Sequence, residues 1–261
     1  NRLFVASGDD GTVKIFDGSS YALLATAKFT IDADNLRYDP RTKRVLVGYS
    51  GQKFVGGKAI AGPGGEGDGA LGYVESNGSK GTLIPVDAHP ESFQIEKNGT
   101  RVFVNVPDHH EIEVGDLAKR KIIARWPVYC TDKFPMALDE THHRLFIGCR
   151  IPAKMLVFDT ETGKSIASLD IPGTTDDLFY DAARRRIYVL GGEGGWDYMA
   201  LDGRTRLLYV THGNAVEILV LDRLPDQRLP RIGAHVLVVA GIGNAGDLFR
   251  GPGHSFNINS T

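Results

Sequence analysis

Short apolar strands, each opened by an arginine, recur along the chain. They lie at Arg2–Val5, Arg44–Val47, Arg101–Val104, Arg144–Ile147, Arg186–Val189 and Arg206–Val210. Most of these arginines are about 42 residues apart, a spacing typical of proteins that repeat one four-stranded sheet around an axis. Between them, apolar and polar residues alternate with a period of two, and turn-forming pairs separate the runs. The pattern predicts an all-β fold, a β-propeller of four-stranded antiparallel blades, with five to seven blades and one irregular or stunted blade.

Length and spacing predict a single domain with three departures from the repeat. The whole chain, residues 1–261, is long enough for one β-propeller domain. Residues 51–72 are rich in glycine and poor in large side chains, so we predict an inserted loop there. Beyond Asp222 the repeat breaks, and residues 223–261 are predicted to be an irregular tail, in which His235–Gly241 has the composition of a strand.

The third departure is the short spacing between Arg186 and Arg206, which is about half of the others. It predicts a blade that lacks its two outer strands. An unpaired strand edge invites pairing with another chain. We therefore expect that the protein can dimerise through this incomplete blade.

Composition restricts the classes of partner. The formal net charge is −2 and the pI is near 6.5, so no global basic field attracts nucleic acid, and no nucleic-acid partner is expected. No apolar run approaches the ~18 residues of a membrane span, so no membrane-spanning segment is expected. The first residues lie inside a repeat rather than in a signal peptide, and we expect the native leader to be absent from this chain.

Two cysteines, Cys130 and Cys149, stand at the ends of strands in adjacent units. A disulfide between them would join neighbouring blades and would indicate an oxidising compartment. Two buried free thiols explain the same positions equally well. The sequence leaves both alternatives open.

Several phrases of the repeat resemble those of the bacterial YVTN-type β-propeller repeat proteins. They are RLFVASGDDGTVKIFDG, ADNLRYDP, HPESFQIEKNGTRVFVNVPD, FPMALDETHHRLFIGCR, MLVFDTETGK, TDDLFYDAARRRIYV and WDYMALDGRTRLLYVTHG, and together they cover most of Asn1–Asp222. The resemblance implies an extracytoplasmic bacterial protein, periplasmic or secreted, from a family that usually closes seven blades. It implies a fold more than an activity, because propellers carry unrelated functions on one frame.

Polar residues at the starts of the innermost strands are the candidates for a binding site. In a propeller these strands line the axis, so residues far apart in sequence meet at one mouth of the channel. The residues placed in this way are Asp34, Asn35, His89, Glu91, Lys133, Asp176, Asp177, Trp196 and Asp197. We predict that they bind a small molecule, a polymer or a protein. Aspartates at such positions also cap turns, which explains the same pattern without a ligand.

The acidic part of this set also predicts a divalent metal site. The candidate ligands are Asp34, His89, Glu91, Asp176 and Asp177. Oxygen ligands suit Ca²⁺ or Mg²⁺, and the imidazole would admit Zn²⁺. Two functions remain open: a binding or scaffold module, and a metal-dependent hydrolase analogous to the lactonases built on other propellers, in which the ion activates a water molecule.

Overall fold

The computed structural model describes residues 1–55, 58–63, 69–171, 173–191, 196–202, 204–205, 207–212, 215–220 and 235–240. Within these ranges, side chains are described except at 52–55, 58–63, 133–134, 196–199, 201, 211–212, 215–220 and 235–240. The described elements are antiparallel β-strands and one 3-10 turn at Pro107–His109, which confirms the predicted all-β class. None of the described segments is a helix with the length and apolar character needed to cross a membrane.

The first two blades form one continuous sheet. In the described residues, blade 1 consists of β1 (Arg2–Ser7), β2 (Thr12–Asp17) and β3 (Leu23–Lys28). Blade 2 and its insertion consist of β4 (Ile31–Asp39), β5 (Arg44–Ser50), β6 (Gln52–Val55), β7 (Lys58–Pro63), β8 (Gly69–Val74) and β9 (Lys80–Val86). A bridge between Ser7 and Ala33 joins β1 to β4.

Blades 3 and 4 are regular four-stranded sheets. Blade 3 consists of β10 (Ser92–Ile95), β11 (Arg101–Val106), β12 (Glu111–Asp116) and β13 (Lys121–Pro127). Blade 4 consists of β14 (Thr131–Asp139), β15 (Arg144–Ile151), β16 (Lys154–Asp159) and β17 (Ser165–Asp170). Strand order follows chain order in both sheets, as predicted for propeller blades.

The glycine-rich stretch 51–72 differs from the predicted loop. β6 and β7 pair with each other as a two-stranded ribbon, and β8 already begins at Gly69 and pairs with β5. Glycine suits β8 because the packed neighbouring rings leave little room for a side chain there. A side chain at Gly72 would approach the rings of Phe29 and Tyr49 to 3.0 Å. Residues 56–57 and 64–68 lie outside the described residues.

Blade 5 has a third strand that comes from the predicted tail. It begins with β18 (Asp177–Asp181) and β19 (Arg186–Gly191). Blade 6 follows, with β20 (Trp196–Asp202), β21 (Leu207–His212) and β22 (Ala215–Val220). The chain then returns to blade 5, where β23 (His235–Ala240) pairs antiparallel with β19 along all six residues.

This return corrects the picture of a two-stranded blade. The sequence HVLVVA is a continuous apolar run that can supply backbone donors and acceptors to β19, and spacing between arginines does not reveal such a late partner. The edge of β19 through which the sequence predicts dimerisation is occupied by β23. Residues 221–234 and 241–261 of the predicted tail lie outside the described residues.

The arginine that opens the recurring apolar strand has a structural role in three blades. Arg2 and Arg144 each stand opposite the aspartate that ends the neighbouring strand and form an ion pair with it, Arg2 with Asp17 at 3.3 Å and Arg144 with Asp159 at 2.8 Å. In blade 2, Arg44 pairs with Glu75 at 2.9 Å. In these blades the arginine therefore holds together one end of two neighbouring strands.

Four hydrophobic clusters fill the spaces between successive blades from blade 1 to blade 5. The second strands β5, β11 and β19 are buried from their second residue to their last, because a neighbouring blade covers each face. Between blades 3 and 4, the Trp126 ring lies 5.5 Å from Phe103 and 6.2 Å from Phe158. The same space contains a disulfide between Cys130 and Cys149. Of the two alternatives for these cysteines, the structure has the bonded pair.

Candidate functional site

The first strands of the blades surround an axial cleft of about 690 Å³. β4 contacts β10, β10 contacts β14, β14 contacts β18 and β18 contacts β20, so the cleft is bounded by strands that follow one another around the axis. The cleft-lining carboxylates are Asp34, Glu91, Asp139, Glu140, Asp176 and Asp177. The cationic side chains that line it among the described residues are Arg37, Lys97 and Arg150.

Irregular backbone positions the acidic residues at one mouth of the cleft. The register of β4 against β5 shifts between Ile31 and Asn35, and Asp32 has a φ of 49° within this shift. In β14, Asp132 has a φ of 47° and comes just before a register shift between Lys133 and Met136. Left-handed backbone at a residue other than glycine is uncommon and is best tolerated by asparagine and aspartate. In both inner strands, irregular backbone therefore lies near the end that carries the candidate residues.

Asp34, Glu91 and His89 form an electrostatically coupled group at this mouth. The His89 Nε2 lies 3.4 Å from Glu91 Oε2, and the His89 Nδ1 is hydrogen-bonded to the Ser50 hydroxyl. Loss of hydration raises the pKa of Asp34 to about 6, and the negative charge of Glu91 adds to this shift while His89 opposes it. Burial acts to lower the pKa of His89, but the hydrogen bond to Glu91 and the charge of Asp34 outweigh burial and raise it.

The amide side chain of Asn35 makes one hydrogen bond and leaves its oxygen without one. Its Nδ2 donates a hydrogen bond to the Glu91 carbonyl oxygen at 3.1 Å. Its Oδ1 is buried and has no hydrogen-bond partner within the described part of the chain. Buried polar atoms without a partner are uncommon in proteins, and this one lies beside the carboxylates of the cleft.

Arg150 is a residue of the cleft that the sequence analysis missed. Its guanidinium forms an ion pair with Asp176, and its Nε donates to the Thr175 carbonyl oxygen at 3.3 Å. Arg150 lies near the end of β15, a second strand, whereas the prediction considered only first strands. A charged residue directly after the apolar run RLFIGC was the signal that could have indicated Arg150.

The structure brings five of the nine predicted residues into the wall of one cleft: Asp34, Asn35, Glu91, Asp176 and Asp177. His89 joins them through Glu91. Lys133, Trp196 and Asp197 lie in first strands, and their side chains fall outside the described ones.

The predicted metal ligands do not converge on one point. No three of Asp34, His89, Glu91, Asp176 and Asp177 have ligand atoms within 4.8 Å of one another, all five being described residues. Metal binding at the mouth, and the hydrolase that would depend on it, therefore stay predictions.

Successive antiparallel sheets, two of them regular four-stranded blades, follow one another around an axial cleft, and this arrangement defines the class of protein as a β-propeller. Hydrazine synthase of Kuenenia stuttgartiensis is similar, with a TM-score of 0.70 and 12% identity over 85% of this chain and 74% of that chain. A chain of the mitotic checkpoint complex is similar with a TM-score of 0.64 and 14% identity, over 83% and 70% of the two chains. At these identities the likeness shows the fold alone. No protein-family model and no curated protein sequence matches this chain, so the YVTN-type resemblance stays a prediction.

The raised pKa of Asp34 predicts a pH dependence. Because the pKa is about 6 in the folded state against an ordinary 3.8, the folded protein binds more protons between these values. The contribution of this group to stability should therefore fall as pH rises from about 4 to about 6. In Asp34→Asn this part of the slope should disappear. Urea unfolding of both proteins across this range measures it, and a carboxyl titration by NMR with a midpoint near 4 would contradict it.

Proposed function

We propose that the chain is a binding or scaffold module whose axial cleft holds a positively charged segment of a polypeptide. The observation that supports this most directly is the acidic lining of the cleft, in which the carboxylates of Asp34 and Glu91 lie beside the amide of Asn35. All of these groups accept hydrogen bonds when the carboxylates are ionised. A lysine or arginine side chain supplies donors and positive charge together, and it matches this mouth better than an anionic ligand does.

The size and charge of the cleft support the same ligand class. Its volume of about 690 Å³ is in the usual range for sites that hold a small ligand or a few residues of a peptide. Six carboxylates and three cationic side chains line it among the described residues. Complementary charge steers association and rejects partners of the wrong sign.

We further propose that the protein works in an oxidising compartment, outside the bacterial cytoplasm. The disulfide between Cys130 and Cys149 supports this proposal, because such bonds rarely persist in a reducing cytosol. Alkylation of free thiols in intact cells, before lysis and reduction, tests it. Cysteines that become alkylated in the cell would contradict an oxidising compartment.

Fluorescence anisotropy with labelled peptides tests the ligand class. An arginine- and lysine-rich peptide should bind, and a peptide of the same length rich in glutamate should not. The double variant Asp34→Asn, Glu91→Gln should weaken binding by about 10-fold or more, since hydrogen bonds to charged groups contribute ~1.5–3 kcal/mol. Binding should also weaken as pH falls through about 6, where Asp34 becomes neutral.

Asp170→Asn is the matched control. Asp170 is an exposed carboxylate at the end of β17, where it pairs with Lys154 outside the cleft. Its replacement changes the net charge as each single cleft substitution does, but it should leave peptide affinity unchanged. Equal losses in Asp170→Asn and in the cleft variants would indicate a nonspecific effect of charge and would refute a site in the cleft.

A further inference from the structure

A second group of ligating side chains lies outside the cleft, where blade 2 passes into blade 3. Asp87 follows the last residue of β9, His109 ends the 3-10 turn after β11, and Glu111 begins β12. One ligand atom from each of these residues lies within 4.8 Å of the others. Two ligands of one metal ion are separated by up to about twice the metal–ligand distance of ~2.0–2.3 Å. Asp87 and His109 are both exposed side chains, and Glu111 is half-buried.

Glu113 provides an independent indication of a missing partner. Its side chain is 0% exposed, and its Oε2 has no hydrogen-bond partner among the described residues. Glu113 and Glu111 are two residues apart on β12 and therefore point to the same face of the sheet. Glu113 also interacts directly with Asp87 through its side chain. The unpartnered oxygen thus belongs to a carboxyl group that faces the cluster.

Arg125 explains part of this arrangement but not all of it. Its guanidinium lies 2.8 Å from Asp87 Oδ2, 3.4 Å from Glu111 Oε1 and 3.2 Å from Glu113 Oε1. An ion-pair network around Arg125 is the simplest alternative to a ligand site. It does not account for His109 beside the carboxylates or for the unpartnered Glu113 Oε2.

We propose that Asp87, His109 and Glu111 bind one divalent metal ion of the zinc class, with Glu113 accepting a hydrogen bond from a water molecule on the metal. One imidazole and two carboxylates are a ligand set that suits Zn²⁺ better than Ca²⁺, which prefers six to eight oxygens. Groups that hydrogen-bond to the ligands or waters of a metal commonly tune its affinity. The ion would connect the end of blade 2 to a turn of blade 3.

Isothermal titration calorimetry with zinc chloride tests the site on full-length protein freed of metal by chelation. We expect about one equivalent of Zn²⁺ to bind. Asp87→Asn and His109→Gln should each weaken binding by at least ~10-fold, and Glu113→Gln by ~10- to 100-fold, as is common for residues just outside the ligand shell. Circular dichroism of each metal-free variant checks that the propeller still folds.

His142→Gln is the matched control. His142 also pairs with a carboxylate, since its Nδ1 lies 2.7 Å from Asp139 Oδ2, but it belongs to no group of three ligands within the described residues. This variant should bind Zn²⁺ as the parent does. Absence of binding in the parent, binding that survives His109→Gln, or loss of binding in His142→Gln would each overturn the proposal. Unchanged affinity in Glu113→Gln would overturn the role of Glu113.

Discussion

Replacement of Trp126 by alanine should lower the free energy of unfolding by about 3 kcal/mol, near the lower end of the range for truncating a large aromatic residue, because the ring is partly buried against the cluster between blades 3 and 4. The ring fills the space between blades 3 and 4, where it contacts Phe103 and stacks with Phe158. Little can move in to fill the cavity, because the contacting strands are held by their own hydrogen-bond ladders. Urea unfolding followed by circular dichroism measures the loss.

Two further variants separate this effect from a general weakening of β13. Ile123 lies in the same strand and is 45% exposed, and Ile123→Ala should change stability by no more than ~0.5 kcal/mol. Gly163 packs against the indole so closely that an added Cβ would lie 2.3 Å from Trp126 Nε1. Gly163→Ala should therefore cost less in the Trp126→Ala background than in the parent. Additive effects would show that the indole does not occupy this space.

Replacement of both Cys130 and Cys149 by alanine should cost about 3 kcal/mol, the loop-closure entropy expected for a disulfide that spans about 20 residues. The separation of the two cysteines is 19 residues, and both are buried between blades 3 and 4. The bond therefore restrains the unfolded chain across the connection between these blades. Unfolding of the parent and of the variant in urea gives the difference.

Reduction provides the control for the disulfide. A thiol reductant should lower the stability of the parent by a similar amount and should leave the double alanine variant unchanged. A parent protein that titrates with two free thiols under denaturing conditions, before any reductant is added, would contradict the bonded pair. A reductant effect on the variant would show that reduction acts elsewhere.

The blade architecture was predictable because short-range sequence patterns indicate it. Each repeat shows an opening arginine, an alternation with a period of two and turn-forming pairs, and most repeats are about 42 residues apart. All of these features can be recognised from a few neighbouring residues. The ribbon at Gln52–Val55 and Lys58–Pro63 was missed because a glycine-rich composition indicates little about backbone pairing. The strand at His235–Ala240 was recognisable as a strand, but its partner β19 lies across a whole blade in sequence.

The candidate cleft was predictable for the same reason, since Asp34, Glu91 and Asp176 occupy comparable positions in successive blades. The repeat places them around one axis without any detail of side-chain packing. The group formed by Asp87 and His109 was not predictable in this way. Its members come from a connection and a turn, and only the angle between two blades brings them together.

The return of the chain to β19 affects how the protein can be made. β18 and β19 leave the ribosome well before residue 240, so a nascent chain carries an unpaired strand edge while all of blade 6 is synthesised. Folding of blades 5 and 6 must then proceed together, because the long-range pairing with β23 is available only after residue 240 has been made. Chaperone dependence and aggregation during synthesis should concentrate in this interval rather than in the first four blades.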